Sequence, residues 1–444
     1  MTTAVNPNPL GGIANLGRIP ELRQRLMFTL GMLIVYRIGA HVPTPGIDPN
    51  ALAAFFQQQQ GTLLGMFNMF SGGALSRLTV FALGIMPYIS SSIIIQLMTA
   101  VVPHLEALKK EGEFGRRKIN QYTRYGTVIL SLFQGLGIAY GLESMSAGGM
   151  PVVIEPGMHF RLMTVITLTA GTAFIMWVGE QITARGIGNG ISLIIFSGIV
   201  ANLPVALANT LQLARTGDLQ PLFVLFLFVM SIGVTAFIIF MERAQRRIAI
   251  QYAKRQISGR QMVGGETTHL PLKVNTAGVI PPIFASSIIL FPVTLANFAP
   301  WDFMKSLASM LSPGNILYML IYAAAIIFFC FFYTAIVFNP EETAENLRKY
   351  GAFVPGIRPG RNTAEFMDKV LTRLTLVGAV YVAAVCLLPE ILIANYNVPF
   401  YFGGTSILIV VGVTMDTAAQ IQSFLITRQY EGLINKAKIR GRTG

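Results

Sequence analysis

Ten long apolar runs divide this chain, near residues 22–40, 77–102, 123–142, 161–178, 187–208, 221–241, 274–296, 315–338, 370–390 and 400–426. A helix needs about 20 such residues to cross a bilayer. Hydrocarbon offers a backbone amide no partner, so each run must satisfy its own hydrogen bonds, and a helix does so. Charged residues are 12% of the chain against 53% hydrophobic, a balance no soluble globular chain of this size shows. The expected class is an all-α polytopic membrane protein with ten transmembrane helices.

Basic residues set the orientation. With the N-terminus inside, only Arg37, Arg77, Arg161, Arg215 and Lys305 of the 33 Lys and Arg fall outside the inner loops and tails. Both termini are therefore expected in the cytoplasm, and the net charge of +13 needs no acidic ligand. The Asn/Pro/Gly-rich residues 1–17 read as a mobile tail, and the first run, lacking a small-residue cleavage site, as an uncleaved helix. Cys330 and Cys386 lie deep in apolar runs and make no disulfide framework.

One apolar stretch is copied far down the chain. Gly84 to Leu97, GIMPYISSSIIIQL, laid over Gly278 to Phe291, GVIPPIFASSIILF, matches at Gly84/Gly278, Pro87/Pro281, Ile89/Ile283, Ser92/Ser286, Ile94/Ile288 and Ile95/Ile289. Proline removes a backbone donor, so both are expected to be kinked or broken helices. Paired broken helices at corresponding places in two halves point to a functional site between repeats. Just before the first copy, Thr62 to Ser76 is apolar but too short to span, and carries the Gly72-Gly73 pair. It reads either as an interfacial helix or as a re-entrant segment surrounded by protein.

Two inner loops are longer than topology requires. Residues 242–273 contain RRIAIQYAKR, whose alternation suggests a strand, and a second possible strand at THLPLKV. Residues 339–369 hold a capped helix start, then a Gly/Pro-punctuated loop displaying Arg358 and Arg361. Protruding basic loops suggest docking to nucleic acid, anionic lipid or a large protein. RGIGNG at 185–190 lacks the residues of a phosphate or dinucleotide loop and reads as a flexible lead into a helix. The four histidines are scattered, so no metal site, catalytic residue or cofactor is read. Asp416 is the main acidic residue inside a span, which weighs against an enzyme and against an ion-driven carrier.

FNMFSGGALSR, FALGIMPYISSSIIIQL, GEQITARGIGNGISLIIF, THLPLKVN, IFASSIILFP, AIIFFCFFYTAIVFNP, GAFVPGIRPG, TRLTLVGA and VPFYFGGTSILIVV resemble, in order, the SecY family. The resemblance runs from about Leu22 to the C-terminal tail and departs in the N-terminal tail and outer loops 143–160 and 296–314. It implies the central subunit of a protein-translocation channel in the bacterial inner membrane, built as two inverted five-helix halves. The halves would be residues 22–208, with a plug at 62–76, and 209–427, flanked by tails 1–21 and 428–444. The family's pore ring carries over to Ile85, Ile89, Ile187, Ile191, Ile283 and Ile409, and its plug to Phe67, Asn68, Met69, Phe70, Ser71, Gly72 and Gly73. A lateral gate is implied at Ser90, Ser91, Gln96 and Phe291, and partner contacts at Arg246, Arg247, Lys254, Arg255, Arg260, Arg358 and Arg361. Implied partners are SecE and SecG in the bilayer, the motor ATPase SecA or the ribosome at the basic loops, and secretory preproteins with their signal peptides as cargo. The runner-up from another class is a secondary transporter with inverted repeats.

Overall fold

The computed structural model describes residues 20–48, 51–52, 68, 71–144, 146–147, 150–216, 220–252, 255–257, 261–263, 267–298, 315–396 and 404–440. A helix stands at each of the ten apolar runs. They are α1 (Pro20–Gly39), α2 (Met86–Val101), then, after the short α3 (Pro103–Lys110), α4 (Glu113–Ser144), α5 (Met158–Arg185), α6 (Gly190–Thr216) and α7 (Pro221–Arg243). The second series is α8 (Ile280–Phe298), α9 (Ile316–Val337), the short α10 (Pro340–Lys349), α11 (Arg361–Tyr396) and α12 (Gly404–Arg440). Among the described residues, seven are long and apolar enough to cross a bilayer alone, or eight if α2 and α3, bent by 97° at Val102, count as one span. α1 falls short because its first turns carry Glu21, Arg23 and Arg25.

The run near 77–102 is not one helix. Residues 71–85 form successive turns, and α2 begins only at Met86, with Pro87 in its first turn. In a helix interior proline costs about 3 kcal/mol or more, but in the first turn its missing N–H was unpaired anyway. Pro87 therefore starts a helix instead of breaking one, and Pro281 does the same in α8.

Two compact units form: Met1–Ala206 with Pro292–Ser306 and Val413–Gly444, and Leu207–Phe291 with Leu307–Gly412. The first cut falls near the expected half boundary at 208. α12, however, is divided, its C-terminal part joining the first unit.

In the first unit, an aromatic ladder runs from Tyr36 of α1 through Phe81 to Phe174 and Trp177 of α5, with successive ring centroids 5.9, 5.9 and 5.8 Å apart. Glu143 at the end of α4 receives two hydrogen bonds from the Arg161 guanidinium, 2.9 and 2.6 Å to Oε2, and one from the Gly157 amide. That clamp joins α4 and α5 at one end, and in the connection between them β1 (Ser146–Ala147) pairs antiparallel with β2 (Met150–Pro151).

In the second unit, the two long loops build one domain. β3 (Gln245–Tyr252) pairs antiparallel with β6 (Thr267–Lys273) along its length, and with β7 (Ala352–Phe353) from the other loop. β4 (Arg255–Ile257) and β5 (Gln261–Val263) form the hairpin between β3 and β6. Ile248, Leu272, Val354, Val370 and Leu371 make a core that seats the sheet on the first turns of α11. α10 is capped as its sequence asks, the Asn339 side chain accepting from the Glu341 and Glu342 amides.

Candidate functional site

The internal repeat survives as conformation. Gly84 has φ 55° and Gly278 φ 63°, a region side chains rarely enter, and each stands two residues before its helix. Burial repeats too: Ile89 and Ile283 are 5% and 8% exposed, whereas Ile94 and Ile288 are 45% and 42% exposed. The two apolar side chains matched by sequence thus occupy the same inward place in each copy. Ile85 is the N-cap residue of α2, one turn before Ile89, whose amide bonds to the Ile85 carbonyl at 3.1 Å. Ile409 is fully buried in α12, which comes so close to Val279 that a side chain at Gly412 would overlap it.

Ile187 and Ile191 do not form an equivalent pair. Ile187 precedes the helix, in the turn 186–189; Ile191 is the second residue of α6. One turn on, on the same face as Ile191, lies Ile195, 3% exposed. Helical spacing counted forward from Gly190 would have found it.

The 186–190 turn is not a flexible lead. The Ile187 amide donates to Thr29 Oγ1 of α1 at 3.1 Å, and the Gly188 amide to Gln420 Oε1 of α12 at 2.9 Å. The Gly190 amide donates to Thr183 Oγ1 at 2.9 Å, and Asn189 Oδ1 accepts from the Ile191 amide at 3.1 Å. A Cβ at Gly186 would run into Thr29, and one at Gly190 into the Gly179 carbonyl. These glycines permit close packing, so the first and last helices both hold the start of α6.

Of the seven plug positions, Phe67, Met69 and Phe70 lie outside the described residues. Asn68 organises the remainder: its carbonyl accepts from the Gly73 amide and Ser71 Oγ at 2.8 and 2.9 Å, and its Oδ1 from the Ser76 amide at 2.8 Å. From α1, Tyr36 OH donates to the Ser71 carbonyl and Arg37 Nη1 to the Gly72 carbonyl, both at 3.4 Å. Ser71, Ala74 and Leu75 are buried, and Gly72 approaches the Gly198 Cα of α6. Protein covers Ser71, Ala74 and Leu75, while 62–67, 69 and 70 lie outside the described residues. Downstream, Leu78 takes φ 37°, which costs about 1–3 kcal/mol. Its carbonyl receives the Thr44 amide at 2.9 Å, and Thr79 bridges to Pro43, so the strain is held by the loop after α1.

Two expected gate residues are hydrogen-bonded within the first unit. Ser91 Oγ donates to the Thr123 carbonyl of α4 at 2.8 Å, in a niche that a side chain at Gly126 would close. It locks α2 to its own unit. Gln96 donates from Nε2 to Ser92 Oγ at 3.2 Å, while its Oε1 is buried with no hydrogen-bond partner among the described residues. Ser90 is buried on α2. Phe291 falls within α8, its side chain outside the described residues.

Of the seven basic positions, Lys254 and Arg260 lie outside the described residues, and Arg255 opens β4. Arg246 and Arg247 are exposed on β3, opposite Leu272 and Pro271. Arg358 is exposed in the loop after β7, and Arg361, the first residue of α11, pairs with Glu365 at 3.3 Å. β3, β6 and β7 therefore gather Arg246, Arg247 and Arg358 onto one small domain. Its strand β6 leads into α8. β6 ends at Lys273, the Val274 amide still donates to the Ala244 carbonyl at 3.0 Å, and Asn275 caps the Gly278 turn, its Oδ1 accepting the Gly278 amide at 3.1 Å.

Residues 79–418 match the family model described as SecY. The chain is similar to the protein translocase subunit SecY of Escherichia coli (strain K12), 59% identical over 429 residues that cover 96% of each chain. In fold it is similar to a solved structure described as "The plug domain of the SecY protein stablizes the closed state of the translocation channel and maintains a membrane seal". The TM-score is 0.64 at 18% identity, covering 93% of this chain and 96% of that one. It is also similar to "Sec61 in the Canine ribosome-channel complex from the endoplasmic reticulum", with a TM-score of 0.61 at 15% identity over 93% and 96% of the two chains.

Proposed function

This chain belongs to the SecY family, and from that premise we propose how its parts divide the work of a protein-conducting channel. It is a membrane-embedded protein translocase subunit and not an enzyme. The seal is a ring of branched apolar side chains: Ile85, Ile89 and Ile191, with Ile195 in place of Ile187, from the first unit, and Ile283 and Ile409 from the second. Such a ring shuts by expelling water, and it yields to an extended chain because no hydrogen bond holds it closed. The observation that carries this reading is the matched burial of Ile89 and Ile283 in two copies of one motif.

The segment around Asn68–Ser76 is the plug, seated by Tyr36 and Arg37. α2 and α8 are the movable pair that releases apolar segments sideways, with Ser90, Gln96 and Phe291 on it and Ser91 as an anchor. The sheet domain is the docking surface for SecA or the ribosome; SecE and SecG are the membrane partners, in the bacterial inner membrane with both termini in the cytoplasm. A solute carrier binds through polar groups left free within its spans; Thr29, Thr127, Thr172, Thr334 and Thr417 each donate to the carbonyl four residues back and are not such groups.

The test is ion conductance of reconstituted bilayers. Replacing Ile89 and Ile283 together with Asn should hold water in the constriction, raise resting conductance at least tenfold, and admit substrates with weak signals. Conductance equal to the unaltered protein would remove the ring from these positions.

A further inference from the structure

We propose that Asn275 and Glu242 are positioning residues that make a rigid joint between the docking sheet and α8, so that load on the sheet turns the helix. This rests on the docking role proposed above. Asn275 is 5% exposed, and its carboxamide is fully engaged. Nδ2 donates to Glu242 Oε1 on the last turn of α7 at 2.6 Å and to the Gly278 carbonyl at 3.1 Å, while Oδ1 accepts the Gly278 amide at 3.1 Å. On the residue before it, the Val274 amide is bound to Ala244, and a side chain at Gly378 of α11 would press on the Val274 carbonyl. Gly278, at φ 63°, then turns the chain, and α8 starts two residues later with Pro281 and Pro282 in its first turn. Between β6 and α8, side-chain or main-chain bonds hold Val274, Asn275 and Gly278, leaving little slack to absorb a displacement.

The repeat shows what is special here. In the first unit the residue three before the joint glycine is Phe81, the position that Asn275 takes in the second. The Gly84 amide bonds to the Phe81 carbonyl at 2.8 Å, and the Phe81 ring lies stacked between Tyr36 and Phe174. Stacked rings 5.9 Å apart slide without losing a directed bond. A carboxamide bonded to a carboxylate holds its direction. The same turn is thus built to slip where the plug feeds it and to hold where the docking sheet feeds it.

The experiment uses inverted vesicles carrying the whole channel complex at equal level, with SecA supplied as the load. Two quantities are measured: SecA affinity for the vesicles and the rate of preprotein translocation. Asn275→Leu and Glu242→Leu should leave SecA affinity within twofold and slow translocation at least tenfold. Glu242→Gln, which keeps an acceptor for Asn275, should restore the rate to within threefold. Arg358→Glu, run alongside, should lose affinity itself. Should Asn275→Leu not accumulate, Glu242→Leu with its Gln counterpart carries the comparison. Normal translocation by either Leu variant overturns the joint, as does a loss that Glu242→Gln shares in full or one accompanied by lost SecA affinity. Normal affinity in Arg358→Glu overturns the docking role instead.

Discussion

Arg358 and Arg361 stand three residues apart on the proposed docking surface, and their surroundings separate them. Arg361 already has Glu365 at 3.3 Å. The Arg358 side chain has no hydrogen bond or ion pair among the described residues, while its carbonyl is fixed by Thr363 Oγ1 at 2.9 Å. A guanidinium held at its root and free at its tip suits a carboxylate or phosphate on a partner. Arg358→Glu should abolish SecA-driven export and leave insertion and the seal intact, and Arg361→Glu should weaken export less; translocation assays at equal channel level read both. Gly188 makes a second case. It has φ 88°, and a side chain there would press on Leu193 and Thr417. Gly188→Ala should cost about 1–2 kcal/mol from backbone strain alone, visible as a lower melting temperature of the purified protein in detergent. The motif GIGNG was legible as glycine-rich, yet not as rigid. Its partners, Thr29 and Gln420, lie 158 and 232 residues away along the chain, and no local pattern points to them.

Among the elements, the proposed plug is the one whose removal separates two roles. Asn68 organises its turns, and Tyr36 and Arg37 reach it only at 3.4 Å. Weak seating suits a piece that must leave. Deleting Asn68–Gly73 should give transient ion leakage in bilayer recordings with translocation retained; loss of folded protein would instead mark the segment as a structural support. Strand alternation in RRIAIQYAKR and THLPLKV, and the cap at Asn339, were readable because each is a local signal with a period of two or a fixed offset. That β7 from the second loop completes the first loop's sheet was not, since a two-residue strand carries no period. Pro87 misled for a related reason: proline announces a missing donor, not whether the helix has yet begun. The niche that Gly126 leaves for Ser91 on α4 was not legible either, because its two sides come from different helices.

At the scale of the whole molecule, each of the ten apolar runs holds a helix among the described residues, because hydropathy and length are sums that survive local error. Reporters fused after Gly115, Arg260 or Gly360 should report cytoplasm, and those after Gln58 or Asp302 the outside. Reversal at any one of them would break the inverted repeat. The division of α12 between two units was beyond sequence reading, for it depends on which helices the two ends of α12 meet.

The hydroxyls that bond back onto their own helices have one more consequence. A polypeptide in transit presents many kinds of side chain in turn, and any wall group that welcomed one of them would arrest the queue behind it. Thr29, Thr127, Thr172, Thr334 and Thr417 are already spoken for, and the isoleucines have nothing to offer. A passage sealed by the proposed isoleucine ring is then indifferent to the side chains it carries.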